Sequence, residues 1–372
     1  MSNQAISEQL IEGSGRMRMQ KLISVLVLLA ISLLPIQDAN AVNIAQFDGL
    51  FRTYTVLGSP KHVVVETAGK VWFTAPNADA IGLLSITEVT SQVAEYSTRY
   101  FPTGDGSKPY DLALHDGVIW FTLAGGDALG KLTIATETLT YYSLPPNSGP
   151  RGLAINTSDN TIWCVTNAGN TLIRFDPASE TIEEFQYPVV NAGLEDLAFN
   201  GSGALWMTAT ARNEVRQFDL NTMAFQIPIP TGSSGGAPVT VVIDALNYPW
   251  VTFSSLGEIG RYAPGTLALW RRFAAPQSDG EPTGLHIEGD SFSQQIWYTL
   301  RAAGAVGYFH TRNSGQLMTP HLNFPLPGSN SAPWGITVGS GNVAWIADSG
   351  ANQLVEWRPP YFEAIYLPAI TR

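Results

Sequence analysis

Seven of the ten tryptophans in this 372-residue chain sit in one short apolar context and recur at a near-constant period. They are Trp72, Trp120, Trp163, Trp206, Trp250, Trp297 and Trp345, separated by 48, 43, 43, 44, 47 and 48 residues. The clearest copies read KVWFT at 70–74, VIWFT at 118–122, ALWMT at 204–208 and QIWYT at 295–299. Self-similarity at this period marks a repeat architecture, and that constrains the fold more than any single motif does.

A second apolar segment begins about ten residues past every tryptophan, for example IGL at 81–83, LGK at 129–131 and IGR at 259–261. The intervening residues are mostly Asn, Asp, Gly and Ala, which suit a tight turn, so the two segments read as the arms of a hairpin. A Pro- or Gly-led run of small apolar residues precedes each tryptophan, as in LAL at 112–114 and LAI at 153–155. An aromatic alternating segment follows each hairpin, as in YYSLP at 141–145. Four short strands per period, seven times over, predict an all-β, seven-bladed β-propeller of four-stranded antiparallel blades. The small-residue run is expected innermost, where strands crowd the axis, and the tryptophan between neighbouring blades. The outer-strand pattern occurs once too often, at 51–57 and again at 362–367. The N-terminal copy is expected to complete the last blade, because that pairing removes two open sheet edges.

Composition fits a turn-rich globular domain: 45% of residues are hydrophobic, 14% are charged, and there are 35 Gly and 24 Pro. A net charge of −11 excludes a nucleic-acid partner of the usual kind, which needs a basic surface to displace counterions. The N-terminus is different. Arg16, Arg18 and Lys21 precede an apolar run over 22–34, then Pro35 and Ala39-Asn40-Ala41. That order is the pattern of a secretory leader with cleavage after Ala41, and the apolar run is too short for a comfortable membrane span. The expected organisation is therefore a leader over 1–41 and one propeller over 42–372, exported to the periplasm, cell envelope or medium and monomeric. Cys164 is the only cysteine, so no disulfide forms within the chain; it follows a repeat tryptophan and reads as a small buried residue.

The repeat, with its W-F-T, N-x-I-G-x-L and Y-x-L-P pieces, resembles the streptogramin B lyase (virginiamycin B lyase) family over roughly 58–358. The resemblance implies a propeller and a magnesium-assisted elimination that opens a cyclic depsipeptide at its ester. Site by site, the implied catalytic residues are mostly replaced. Where the family carries Pro-His entering the fifth blade, this chain has Pro238-Val239. Where it carries Glu-Pro-His entering the sixth, this chain has Glu281-Pro282-Thr283. Where it places a glutamate after the sixth tryptophan segment, this chain has Leu300. Glu281 alone is retained. Val239, Thr283 and Leu300 supply neither a base nor a firm metal ligand. His286 is expected to point away from the channel and pack between blades.

Ligands of such a ring are expected at the channel mouth, lined by the first residue past the Pro position of each inner strand. Those residues are Lys61, Tyr110, Arg151, Glu195, Val239, Thr283 and Trp334, with Glu281 two residues before Thr283 and Asp348 at the end of a tryptophan strand. Trp334 and Tyr110 offer flat faces, and Lys61 and Arg151 offer positive charge for a carboxylate. The opposing charges could equally pair with one another across a wet channel. Three readings stay open: a binding propeller for a small molecule, glycan or protein, a lyase-like enzyme retaining magnesium near Glu281, and a surface module.

Overall fold

The computed structural model describes residues 43–44, 46–48, 50–89, 94–232, 235–262, 270–290, 292–312, 316–317 and 321–359. The leader over 1–41 and the C-terminal segment 362–370 lie outside these residues. Seven antiparallel sheets follow one another along the chain, each with four principal strands in meander order. The inner strands are Val63–Thr67, Pro109–His115, Pro150–Asn156, Leu194–Asn200, Pro238–Ile243, Pro282–Gly289 and Pro333–Gly339. Consecutive inner strands pack against each other around the ring, and the seventh packs against the first. This is the predicted seven-bladed propeller.

Closure follows the expected route. The strand Phe51–Thr55 pairs antiparallel with Gln353–Trp357 and becomes the outer strand of blade seven. The last blade is thus built from both ends of the domain.

Hairpin register is the same in every blade. Each repeat tryptophan faces the residue eleven positions later: Trp72 with Leu83, Trp120 with Lys131, Trp163 with Arg174, Trp206 with Gln217, Trp250 with Arg261, Trp297 with Tyr308 and Trp345 with Glu356. The cause is a left-handed backbone at the seventh residue past each tryptophan. Asp79, Asp127, Asn170, Asn213, Gly257, Gly304 and Asn352 occupy it, all with φ between 45° and 63°. Asn, Asp and Gly are the residues that take this conformation at least cost.

One residue past the tryptophan, size is matched across the hairpin. Phe73 lies over Gly82, Phe121 over Gly130 and Tyr298 over Gly307; a Cβ on these glycines would stand 2.0–2.1 Å from a ring carbon. In three blades where the residue is not aromatic its partner carries a side chain, Cys164 opposite Ile173, Met207 opposite Arg216 and Ile346 opposite Val355. In blade five Val251 faces Gly260, and there it is Phe253 that fills the space over the glycine, 2.3 Å from where a Cβ would stand. Cys164 is fully buried in this role, and burial pushes its thiol up to about 12, so it is a packing residue.

The tryptophans do lie between blades. Each belongs to a separate apolar cluster that joins its own blade to the next: Trp72 packs with Leu112 and Ile119, Trp120 with Leu153 and Ile162, Trp163 with Leu197 and Leu205. Trp206, Trp250, Trp297 and Trp345 do the same with Val241, Leu285, Ile336 and Val63. All seven are at most 5% exposed. Burying such rings, each worth several kcal/mol on truncation to Ala by the usual core scale of about 3–5 kcal/mol, holds the ring of blades together.

The size match gives a test. Gly130→Ile alone should destabilise the protein by about 1–3 kcal/mol through overpacking against Phe121. Adding Phe121→Cys recreates the pair found in blade three and should recover most of that loss. Denaturant midpoints of the two single variants and the double variant measure the coupling; additive losses would show that the ring does not sit over the glycine.

Candidate functional site: the channel mouth

The mouth is built by a threonine two residues past the tryptophan. Thr74, Thr122, Thr208, Thr252 and Thr299 each accept a hydrogen bond from an inner-strand N–H of their own blade, at His62, Asp111, Asp196, Thr240 and Gly284. Each hydroxyl then donates to a carbonyl of the following blade, at Tyr110, Arg151, Val239, Thr283 and Trp334, over 2.7–3.0 Å. In blade seven the residue is Ala347, and the Gly335 N–H reaches the Lys61 carbonyl directly at 2.9 Å. Every one of these carbonyls belongs to a residue at the first position past the Pro position. The seams between blades therefore fix the backbone of the mouth.

Asp and Asn at the left-handed hairpin position add a second clamp. Asp79 accepts from the N–H groups of Gly106 and Lys108, Asp127 from Asn147 and Gly149, Asn170 from Ala192, Asn213 from Ala237 and Asn352 from Ser59. Each holds the loop that leads into the next inner strand. These hydrogen bonds pull the Asp79 carboxyl below its usual range, the Lys108 and Gly106 N–H groups acting most strongly.

Five of the predicted mouth residues come together. The Lys61 ammonium stands 3.4 Å from the Trp334 ring centre and 3.9 Å from that of Tyr110. The Arg151 guanidinium lies 4.4 Å from the Tyr110 ring. Glu195 accepts from the Tyr110 hydroxyl and faces Arg151 Nη1 at 3.8 Å. On the other side, the Arg301 guanidinium is 5.2 Å from Trp334 and donates to Glu281 Oε2 from Nη2 at 2.6 Å and Nε at 3.1 Å. The result is an arc of alternating cations and rings that runs from blade six through blades seven and one to blade three, with a carboxylate at each end. Charge pairing across the mouth is thus present, through the rings as well as directly.

Arg301 was not anticipated. It is the first residue after a tryptophan strand, where the hairpin turns over the mouth; its charge four residues past Trp297 was the available signal. The last residues of the tryptophan strands were instead expected at the mouth, and that expectation fails for Asp348. It is fully buried because it pairs with Pro333 across the sheet, and its carboxylate accepts from the Ala332 and Ala351 N–H groups and Gln353 Nε2. Thr283 is also turned inward: it is 3% exposed, with its hydroxyl against Thr299 Oγ1 at 2.9 Å and the Pro333 carbonyl at 3.3 Å. His286 faces the same side of its sheet as Trp297, toward the neighbouring blade, with Nε2 3.6 Å from Glu288.

Below the arc the channel opens into a cavity of about 370 Å³, to which all seven blades contribute, with His62, Asp111, Asp196 and Thr240 among its polar walls and Leu285 and Ile336 among its apolar ones. These polar residues come one position after the mouth residues. A register shift at the start of six inner strands, such as Pro109 to Leu112 and Pro282 to Leu285, breaks the alternation there. Asp111 Oδ1 lies 3.0 Å from His62 Nδ1, while its Oδ2 accepts the Leu153 N–H of the next blade. Asp196 staples blade four to blade five in the same way, through the Val241 N–H. His62 Nε2 is buried and has no partner. The imidazole is thus oriented by an acid, with its second nitrogen directed away from that acid.

Burial and the nearby Asp111 charge hold the Asp196 carboxyl well above its usual range, against the Val241 and Leu197 N–H groups. Burial also raises Glu195, against Lys61 and His62. Burial pushes the Lys61 ammonium down to about 7; Glu195 opposes this, and Arg151 and Arg301 add to it. The two ring faces favour the charged form, so ring and burial act in opposite directions on this amine.

Magnesium, implied by the resemblance, does not fit the family positions. Glu281 is the only carboxylate among them and is engaged by Arg301; Val239 and Leu300 carry no donor, and the Thr283 hydroxyl is committed. Among the described residues, no group of three His, Cys, Asp or Glu side chains is placed to hold a metal ion.

A ring of seven blades with its inner-strand entries gathered at one channel mouth defines the class of this protein: a seven-bladed β-propeller. The virginiamycin B lyase family model matches residues 51–357, and the chain belongs to that family. Among solved structures it is similar to a streptogramin B lyase, with 23% identity, 83% of this chain and 97% of the other covered, and a TM-score of 0.70. It is similar to virginiamycin B lyase from Staphylococcus aureus at 19% identity, covering 86% and 100% of the two chains with a TM-score of 0.70. A catalytically inactive histidine-to-alanine variant of that enzyme with quinupristin gives 19% identity, the same coverage and a TM-score of 0.69. At these identities the likeness is one of fold. A search of curated protein sequences found no match.

The Lys61 environment predicts a pH dependence. Its folded value of about 7 lies below the ordinary 10.5, so between the two the unfolded chain holds a proton that the folded chain has released. Stability should therefore rise with pH from about 7 to about 9, and the rise should vanish in Lys61→Met. Urea midpoints across that range measure it; equal slopes for the two proteins would mean that the rings keep Lys61 charged.

Proposed function

We propose that this chain is an exported binding propeller whose channel mouth takes a small ligand carrying a carboxylate and a flat ring. We further propose that it does not open cyclic depsipeptides by the family's elimination. One observation carries the reading: the arc in which Arg151, Tyr110, Lys61, Trp334 and Arg301 alternate cation and ring above a channel cavity. A ligand carboxylate would take Arg151, which stands 3.8 Å from Glu195, or would replace Glu281 on Arg301, exchanging one charge-assisted bond for another. The ligand ring would stack on Trp334. Export rests on the leader pattern over 1–41.

The elimination reading lacks its reacting groups. Proton abstraction beside a carbonyl needs a base within reach; Val239, Thr283 and Leu300 hold none, and the Glu281 carboxylate is shared with a guanidinium. A second reading is favoured by the Asp111–His62 pair, whose free Nε2 would act as the base for a mouth-bound substrate in place of the family's residues.

Two measurements test these readings. Ligand-observed NMR with a panel of aromatic carboxylates should find saturable binding that weakens by about 10–100-fold in Arg151→Ala, the cost of a lost charged hydrogen bond. Failure of the whole panel, or binding indifferent to that substitution, overturns the proposed site. Quinupristin incubated with the protein and magnesium should keep its ring closed. Ring opening that survives His62→Ala but not Glu281→Ala would restore the family mechanism.

A further inference from the structure

A second cavity, of about 600 Å³, lies at the seam between blades four and five. Its aromatic walls are Trp206, Tyr248 and Tyr262, its amide walls are Gln217, Gln226 and Asn247, and isoleucine and proline side chains complete it. Tyr248 follows the inner strand that begins at Pro238, and Tyr262 ends the strand that begins beside the hairpin at Gly257. The cavity therefore opens toward the end of the blades away from the mouth, and shares no residue with the channel site.

The gap has a structural cause. The outer strand of blade four is broken into Ala224–Phe225 and Ile229–Pro230, whereas the outer strands of blades two and three each run six residues, Thr138–Ser143 and Thr181–Gln186. Gln226 still donates its N–H to the Gln217 carbonyl at 2.8 Å, but Ile227 and Pro228 are outside the strands, and Ile227 is 85% exposed. The seam beside Trp206 is left partly uncovered.

Three properties define what fits. None of the lining side chains carries a charge at neutral pH, so an anion would find no charged partner among them, and the Arg261 guanidinium already lies over the Tyr248 ring at 4.5 Å. The rings offer flat apolar faces, with Tyr262 5.5 Å from Trp206, and the amides offer donors and acceptors side by side. The third property is an unmet hydrogen bond. Trp72, Trp163 and Trp250 donate their indole N–H to Glu66, Thr161 and Asp244, whereas the buried N–H groups of Trp206 and Trp297 have no acceptor, and of these two it is Trp206 that lines this cavity. Asn200, the residue six positions earlier that corresponds to Glu66 and Asp244, has its side-chain oxygen occupied by the Ser202 and Ala204 N–H groups. Buried donors are rarely left in this state.

Neutral hydroxyls on a ring with an apolar face satisfy all three. We propose that this seam is a binding site for a neutral saccharide, a monosaccharide or disaccharide by volume, stacked on Tyr248 and Tyr262 and hydrogen-bonded by Gln217 and Gln226. A cavity of this size is within the ordinary range for small-ligand sites, about 300–1,000 Å³.

The experiment is calorimetric titration of the folded protein with maltose, cellobiose, lactose and diacetylchitobiose, with glucuronate as the charged control, alongside tryptophan fluorescence. At least one neutral disaccharide should bind saturably and shift the emission, and glucuronate should not bind. Gln226→Ala, at an exposed residue, should leave the melting temperature in place, Gln217→Ala, at a half-buried residue opposite Trp206, should keep the protein folded, and each should weaken binding by about tenfold. Arg151→Ala, which disables the mouth, should leave saccharide binding intact, so failure at either site is told from failure at the other. Absence of binding by all four sugars overturns the inference. So does binding that both glutamine variants retain, or binding that is lost in Arg151→Ala.

Discussion

The left-handed residue seven positions past each tryptophan is the constraint on which the rest of this structure depends. It turns the hairpin at a fixed point, and so fixes which residue faces the tryptophan in all seven blades. Where that residue is Asp or Asn, the same side chain reaches the loop entering the next inner strand. Turn geometry and blade-to-blade attachment are thus one local choice repeated around the ring. Gly257 and Gly304 keep the turn but give up the attachment, and at those two seams the threonine hydroxyls of Thr252 and Thr299 carry the connection. Packing of the tryptophans then adds apolar burial at every seam, because each ring is buried against the neighbouring blade.

Architecture was legible because it rests on this repeated local chemistry. The period gave seven blades, the hairpin interval gave the register, and the surplus outer-strand pattern at 51–57 gave the closure. The site was legible in part. Lys61, Tyr110, Arg151 and Trp334 do converge, since the position past the Pro is held at the mouth by the seam, and Glu195 joins them through its side chain, which meets Tyr110 and Arg151. Thr283 and Asp348 were misplaced for different reasons. Strand pairing with Pro333 draws Asp348 inside, and Thr283 spends its hydroxyl on the seam. Asp111 and Asp196 were hidden by the register shift that opens six of the inner strands, and His62 by its place just before the inner strand Val63–Thr67. Simple alternation cannot place side chains across such a shift.

Membership of the lyase family is compatible with replacement of the residues that the resemblance implies as reacting, because fold and implied chemistry depend on different positions. The threonine seams and left-handed turns need only backbone carbonyls and N–H groups from the mouth residues. Val239 and Thr283 still offer their carbonyls to Thr208 and Thr252 whatever side chains they bear. The scaffold therefore tolerates replacement at the positions where the family does its chemistry. Glu281 fits the same account. It holds a left-handed φ of 52° just before a proline, where other blades place Lys108, Gly149 and Ala237. What distinguishes it from these is its ion pair with Arg301.

Ring closure and the candidate site meet at one contact. The closing strand Phe51–Thr55 is followed within a few residues by Lys61, and the Gly335 N–H binds the Lys61 carbonyl across the seam between blades seven and one. On the same seam the Lys61 ammonium lies over Trp334 of blade seven. The middle of the cation–ring arc thus spans the one place where the circle is joined by non-adjacent parts of the chain. An open ring would separate Lys61 from Trp334 and divide the arc into two charged halves, Glu281 with Arg301 and Arg151 with Glu195. The mouth is therefore assembled only when the N-terminal strand is in place, which ties the proposed binding function to complete folding of the propeller.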